Sequence, residues 1–342
     1  MNKPLVSVII VNWNGRKYLN DCLSSLAKVS YKKVEIIFVD NASTDDSVSF
    51  VKKHYPYFKI VINSKNLGFA EGQEVAFRNA KGEALLLLSM DTIVEKNLID
   101  ELVKTLYASN KIGVVQPKIL LYPEKNLIDS IGSFFLMNGD LYHYGREKDH
   151  TIAVYNKPME IFSAKGACIL FKRSVLEKTG LFDKDYFAYF EETDLCMRIW
   201  LSGYKIIYTP RTTVYHKGGG SSKQMASSFI LFHSYKNGIS TYIKNLSLKY
   251  LIQVLPRMIF FYELASIGYL LQGNYKITWA VQKAIVWNVF NIKKLLRKRK
   301  IVQEKMRVVS DDTFLPKLTK KVGLDYYYYQ FFGGMEKYKD RI

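Results

Sequence analysis

The chain has 342 residues, of which 48% are hydrophobic and 14% aromatic, enough apolar mass for a packed core and too much for a disordered chain. Its three cysteines, Cys22, Cys168 and Cys196, are odd in number and scattered. They argue against a disulfide framework and fit reduced structural thiols in a cytosolic setting. The formal net charge is +19, and residues 226–300 hold twelve Lys and Arg against the single acid Glu263. That balance implies anionic partners: nucleic acid, an anionic membrane or phosphorylated substrates.

Residues 6–11 form an apolar run too short for a signal peptide and read as the first strand, spanning 5–12. Trp13-Asn14-Gly15 then lead into a helix with Leu19, Cys22, Leu23 and Leu26 on one face. A second strand at 34–39 stops at Asp40. Residues 41–46, rich in caps and acids, predict a helix start. A third strand at 59–63 is followed by Asn66-Leu67-Gly68-Phe69-Ala70 and a helix to 80. The stretch 84–94, ALLLLSMDTIV, has the continuous apolar run of a central parallel strand covered on both faces. Four strand–helix units in succession predict an α/β, doubly wound, mostly parallel sheet.

Ligands of such sheets sit beyond the strand carboxyl ends, so Asp91 is well placed for chemistry. It would equally serve as the cap of a helix with Ile93, Leu98, Leu102 and Leu106 in register. Asp40 stands alone at another strand end, suited either to a base or ribose or to capping. Neither G-x-G-x-x-G after the first strand nor G-x-x-x-x-G-K-[ST] anywhere is present, which disfavours dinucleotide oxidoreductases and P-loop NTPases. Further strands are expected at 114–118, 162–171 and 205–209, the second interrupted by Gly166. The Gly-, Tyr- and His-rich stretch 130–155 reads as a loop or hairpin.

Residues 186–190 are mostly aromatic and run into Glu191-Glu192-Thr193-Asp194, which opens a helix. First-turn acids suit the helix dipole, and Asp194 with Arg198 makes an i,i+4 pair. That account leaves the adjacent Glu191 and Glu192 unexplained; a carboxylate desolvated by aromatics can act as a base near neutrality. His216 precedes Gly218-Gly219-Gly220-Ser221-Ser222, a loop able to present backbone N–H groups to a diphosphate.

Together these stretches resemble family 2 inverting glycosyltransferases of the A-type nucleotide-sugar fold, and most of all the rhamnosyltransferase-like branch of bacterial surface polysaccharide synthesis. The likeness runs over residues 5–225, through VSVIIVNWNG, FVDNASTDDS, NLGFAEGQ, LLSMDTIV, GACILFKR, YFEETDLCMR and VYHKGGGSS. It implies that Val11, Asn12 and Asp40 hold the nucleotide and that Asn66, Gly68, Phe69 and Ala70 close over its base and ribose. Asp91 would be the surviving acid of a D-x-D motif, also at the nucleotide-sugar, and with His216 would hold Mg²⁺ or Mn²⁺ against the donor diphosphate. Glu192 would be the general base, with Glu191 and Asp194 orienting the acceptor and supporting it; either of those two is the alternative base. Two departures stand out: Ser89 replaces the first D-x-D acid, and Glu74 stands where an asparagine is common near the donor.

The resemblance further implies a nucleotide-diphosphate sugar donor, with rhamnose from dTDP-rhamnose suggested by the branch. The acceptor would be a glycan or lipid-linked glycan, and the chain would lie peripherally on the inner face of the cell membrane. Three regions are expected: a catalytic domain at 1–225, a basic amphipathic helical region at 226–300 that associates with membrane, and an aromatic tail at 301–342. For the middle region a packed helical lid and a transmembrane hairpin are the alternatives; its longest charge-free run, 264–275, is too short to span. The tail, with its four consecutive tyrosines 326–329, would be an interfacial anchor or a dimer contact. Rival functions are a non-catalytic glycan- or nucleotide-sugar-binding relative, suggested by Ser89, and a nucleic-acid binder, suggested by charge alone and lacking any recognised motif.

Overall fold

The computed structural model describes residues 3–219 and 224–340. Its first half alternates strands and helices: β1 (Val6–Asn12), α1 (Arg16–Leu26), β2 (Val34–Asp40), α2 (Ser47–His54), β3 (Lys59–Ile62), α3 (Gly68–Asn79) and β4 (Ala84–Leu88). There follow β5 (Thr92–Val94), α4 (Leu98–Leu106), β6 (Ile112–Leu121), β7 (Ile128–Ser130), β8 (Ser133–Phe135), β9 (Leu141–His143), β10 (Met159–Glu160) and β11 (Cys168–Lys172). Then come α5 (Arg173–Thr179), α6 (Glu191–Leu201) and β12 (Lys205–His216). The helical remainder is α7 (Ser227–Asn245), α8 (Leu248–Leu271), α9 (Tyr275–Phe290), α10 (Ile292–Ile301), α11 (Leu315–Leu318) and α12 (Leu324–Phe332).

The main sheet runs β10-β12-β6-β11-β4-β1-β2-β3, with β5 added to β12 and β7 to β6, while β8 and β9 pair separately. Pairing is parallel from β4 through β3 and between β6 and β12; β11 enters antiparallel between β4 and β6. Strand alternation divides β4 between two cores. Leu85 and Leu87 pack with Ala70 and Ala76 of α3 on one face, whereas Leu86 and Leu88 pack with α1 and α4 on the other. The apolar run is therefore continuous because both faces are covered.

Several local readings change. Residues 92–94 form a strand rather than a helical turn, because Thr92, Ile93 and Val94 pair antiparallel with His216, Tyr215 and Val214. Asp91 is thus not a helix cap. Residues 41–46 form an irregular turn, and α2 begins only at Ser47. The strand expected over 162–171 starts at Cys168, leaving Gly166 in a loop. The strand begun at Lys205 continues through an irregularity between Thr209 and Thr213 as far as His216.

The C-terminal helices pack onto this frame. From Lys236 to Asn245, α7 is buried. The Lys244 ammonium sits 2.6 Å from Asp183 and 2.9 Å from Asp194, while Arg198 lies 3.0 Å from Asp194. Asn245 donates a further hydrogen bond to Asp194. The tail also folds back: Tyr326 is fully buried against Tyr142 and donates to the Leu141 carbonyl. Asp340 accepts hydrogen bonds from Tyr142 and Tyr155. Tyr326 is accordingly a core residue, which removes it from any anchor or dimer contact; Tyr328 remains exposed.

Removing one member of a buried ion cluster strands the others without a counter-charge. Asp194→Ala is expected to cost roughly 3–5 kcal/mol of unfolding free energy, measured by the shift of the urea midpoint at an unchanged slope.

Candidate active site

A cavity of about 600 Å³ opens at the carboxyl ends of β1, β4, β6 and β12, where an open α/β sheet leaves room for a ligand. Val11, Asn12, Asn66, Gly68, Phe69, Asp91, Glu191, Glu192 and His216 all line it. Nine residues singled out in the sequence, drawn from five separate segments, thus meet in one space.

Three others do not reach it. Ala70 is buried inside α3. Asp40 is 1% exposed, and its carboxylate accepts hydrogen bonds from the Asn12 amide (2.8 Å), the Ser43 hydroxyl (2.6 Å) and the Ser43 backbone N–H (2.8 Å). It shapes the 41–46 turn, and the groups presented to the cavity there are Asn12 and Asn41. Asp194 points away, into the ion cluster with Lys244 and Arg198, so acceptor contact from it is not available; it fastens α6 instead. Glu74 pairs with Arg78 at 3.0 Å on α3 and is not among the cavity-lining residues.

The cavity wall around Gly68 is held by amides and one glycine. Asn41 donates to the Gly68 carbonyl, Asn66 accepts from the Gly68 N–H, and Phe69 donates its backbone N–H to the Phe187 carbonyl at 2.7 Å. Gly68 has φ +75°, and a Cβ there would lie 2.3 Å from the Phe187 oxygen. Only glycine permits both that conformation and that approach.

His216 is registered against Thr92, one residue beyond Asp91, so the β5–β12 pairing sets the two side chains together. Its Nε2 lies 3.4 Å from Asp91 Oδ1 and its Nδ1 2.7 Å from Asp129 Oδ2. Lys165 in turn sits 2.6 Å from Asp129. The Ser89 hydroxyl donates to Asp91 Oδ1. Burial alone would lower the His216 pKa; the hydrogen bonds and charges of Asp129 and Asp91 overcome it and raise the pKa to about 9. Asp129, despite burial, is held far below the usual carboxylate range by Lys165 and His216.

Among the described residues no three His, Cys, Asp or Glu side chains cluster as a closed metal site. Asp91 and His216 nevertheless fit a hard divalent ion that takes its other ligands from phosphate and water. They face the same cavity at a separation suited to shared coordination, and Asp129 occupies Nδ1 so that Nε2 is the nitrogen turned to Asp91. Gly218 and Gly219 also line the cavity, both at positive φ. Residues 220–222 of that loop lie outside the described residues.

Glu191 and Glu192 open α6 and line the same cavity, each with one buried carboxylate oxygen that has no hydrogen-bond partner among the described residues. Burial, and then the neighbouring Glu192 charge, push Glu191 well above the ordinary range. Burial also raises Glu192, but the backbone N–H groups of Glu192 and Gly166 and the charge of Lys165 oppose the rise. Two adjacent buried carboxyls do not both ionise readily, and the groups that favour the charged form, the Gly166 N–H and the Lys165 ammonium, act on Glu192. The turn itself is strained, since Tyr189 and Phe190 both have left-handed backbones at φ +70° and +68°. Asn237 of α7 steadies it by donating to the Ala188 and Tyr189 carbonyls.

Sequence reasoning missed Asp129, Lys165, Arg146 and Asn41, all of which line the cavity. Lys165 adjoins Gly166, the glycine already flagged as a point of close approach, and that adjacency was a usable signal. Asp129 and Arg146 lie in an unpatterned stretch and carried none.

Residues 7–180 match the family model described as "Glycosyl transferase family 2". The chain is 25% identical over 265 residues to the N-acetylglucosaminyl-diphospho-decaprenol L-rhamnosyltransferase of Mycobacterium tuberculosis, covering 70% of this chain and 83% of that one. Among solved structures, the mannosyltransferase PcManGT from Pyrobaculum calidifontis, in complex with GDP-Man and Mn²⁺, superposes with a TM-score of 0.53 at 18% identity. That match covers 89% of this chain and 82% of the other. GalNAc-T7 with UDP, GalNAc and Mn²⁺ gives 0.58 at 19% identity over 73% of this chain and 49% of that one. These structural likenesses establish an A-type transferase fold.

The His216 pKa, raised from 6.5 to about 9 on folding, carries a linkage consequence for the metal-free protein. The stabilisation is complete below pH 6.5 and lost as pH rises through about 9. Thermal melts in chelator are expected to show Tm falling across that window, and Asp129→Asn to remove most of the slope.

Proposed function

The chain belongs to glycosyl transferase family 2, and from that premise we propose that it moves a sugar, with inversion, from a nucleoside-diphosphate donor to a hydroxyl of a glycan or lipid-linked glycan acceptor. The observation that carries this reading is the meeting, within one cavity, of the Asp91–His216 pair and the Glu191–Glu192 turn. Direct displacement at an anomeric carbon requires a base on one face and neutralisation of the departing diphosphate on the other.

Glu192 takes the proton of the acceptor hydroxyl as its oxygen attacks the anomeric carbon and the bond to the diphosphate breaks. Glu191, kept neutral, donates a hydrogen bond rather than competing for that proton. Asn12, Asn41 and Asn66 present amides to the nucleotide. Asp91 and His216 would hold Mg²⁺ or Mn²⁺, which when bound supplies neutralising charge to the leaving diphosphate. Lys165 and Arg146 add fixed positive charge to the same cavity. The Mn²⁺ in the two structural relatives supports a divalent requirement. The mycobacterial relative supports rhamnose as the sugar and a lipid-diphosphate-linked acceptor, and with it a place of action at the inner face of the cell membrane.

The proton assignment separates the two glutamates by pH profile. Glu192→Gln is expected to lower kcat roughly 10²–10⁴-fold and to abolish the acid limb of kcat/KM. Glu191→Gln, replacing a group already neutral, is expected to leave that limb in place. Loss of the limb in the Glu191 variant alone would reverse the roles. In thermal shift assays, a nucleoside diphosphate is expected to raise Tm only when Mn²⁺ is present, and Asp91→Ala to remove the increment. Stabilisation by the nucleotide with no transfer by the wild-type chain would instead favour a non-catalytic relative, consistent with Ser89 in place of a second acid.

A further inference from the structure

One surface of the chain has no partner within it. Helix α8 is long and apolar enough to cross a bilayer, yet its first half is not available to do so. Val254 and Met258 are buried in the core, Gly139 and Gly238 pack against Met258, and Tyr250 and Lys249 are tied to Asp312. Beyond Glu263 the helix emerges. Around the α8–α9 turn, Leu264, Ile267, Leu271, Tyr275 and Trp279 are exposed, Leu271 by 83% and Trp279 by 65%. Residues 264–275 carry no charge. Nine residues of helix from Glu263 to the turn reach about 14 Å, under half of a hydrocarbon core roughly 30 Å thick.

We propose that the α8–α9 tip inserts into one leaflet of an anionic phospholipid bilayer without crossing it. The charge around the tip selects this occupant. Exposed Lys276 sits beside Tyr275 at the turn and exposed Lys283 one helical turn beyond Trp279, and Glu263 is the only acid in residues 226–300. Such a charge balance repels its own copy in a two-fold pairing but attracts anionic headgroups. Tyr275 and Trp279, apolar rings with polar handles, suit the depth where headgroups meet acyl chains. The tip also connects to the cavity. A groove of about 330 Å³ at its root is lined by Phe229, Phe232, Lys276, Trp279 and Lys283. Phe229 packs edge-on against Phe187 of the main cavity wall at 5.5 Å. Insertion thereby brings that wall to the level of the lipid headgroups.

The test uses the full chain without donor or acceptor, so its outcome is independent of whether transfer occurs as described. Sedimentation with vesicles of phosphatidylcholine alone and with an equal part of phosphatidylglycerol is expected to show binding to the second only, weakened by salt. The Ile267→Glu/Leu271→Glu variant is expected to bind on the order of tenfold or more weaker, with its melting temperature unchanged because both residues are at the surface. Brominated phospholipid is expected to quench tryptophan emission of the wild-type chain, and Trp279→Phe to remove most of that quenching. Absence of binding by the wild-type chain, or undiminished binding and quenching in these variants, would overturn the proposal. A fall in molecular mass of the double variant by light scattering would do so as well, by assigning the tip to a second copy.

Discussion

One imidazole ties together three strand ends that are far apart in sequence. His216 ends β12, Asp91 follows β4, and Asp129 lies in β7; the ring spans the two carboxylates. The antiparallel pairing of β5 with β12 makes this possible, because it folds the chain after Asp91 back along the strand that delivers His216. Lys165 completes the arrangement by anchoring Asp129. A histidine with both nitrogens committed cannot rotate, and the nitrogen facing Asp91 is fixed by what the other nitrogen holds. The Asp91–His216 edge of the cavity is therefore set by the sheet, not by a loop.

The glutamate edge is built in another way. Glu191 and Glu192 stand on the first turn of a helix whose other polar groups point inward to a buried ion cluster. Asp194, Arg198 and Lys244 hold the helix, and Asn237 holds the turn before it. The acidic side of the site is positioned by helix–helix contacts, and its protonation follows from burial and proximity. Differences in chemistry between neighbouring carboxyls thus arise from packing: Asp194, paired with two cations, is kept below the ordinary range, while Glu191, with none, is pushed above it.

Much of this was legible in the chain. The four opening strand–helix units were written in apolar periodicity; Asp91 followed from its place after an apolar run, Glu191 and Glu192 from the aromatic stretch before them, His216 from the glycine loop after it, and Asn12 from the family resemblance alone. What periodicity did not carry was pairing direction. Ile93 fits a helical register and is in fact strand, because the partner that decides, Tyr215, lies more than a hundred residues away. For the same reason Asp129 was invisible: only the fold sets both β7 and β12 against β6 and so brings Asp129 to His216. Asp40 and Asp194 showed the reverse difficulty. Each stands in a suggestive motif, but a carboxylate's direction depends on its local partners, here Ser43 with Asn12, and Lys244 with Arg198.

The left-handed Tyr189–Phe190 turn has a bearing on how such a protein changes over time. Its conformation is unfavourable for residues with side chains and persists because a helix some fifty positions later grips its carbonyls. The cavity wall around Asn12, Asn41, Asn66 and Phe69 lies within the matched stretch that ends at 180, whereas the Glu191–Glu192 turn answers to α7, outside it. Drift in α7 can therefore reposition the glutamates while the wall built by the matched stretch stays as inherited.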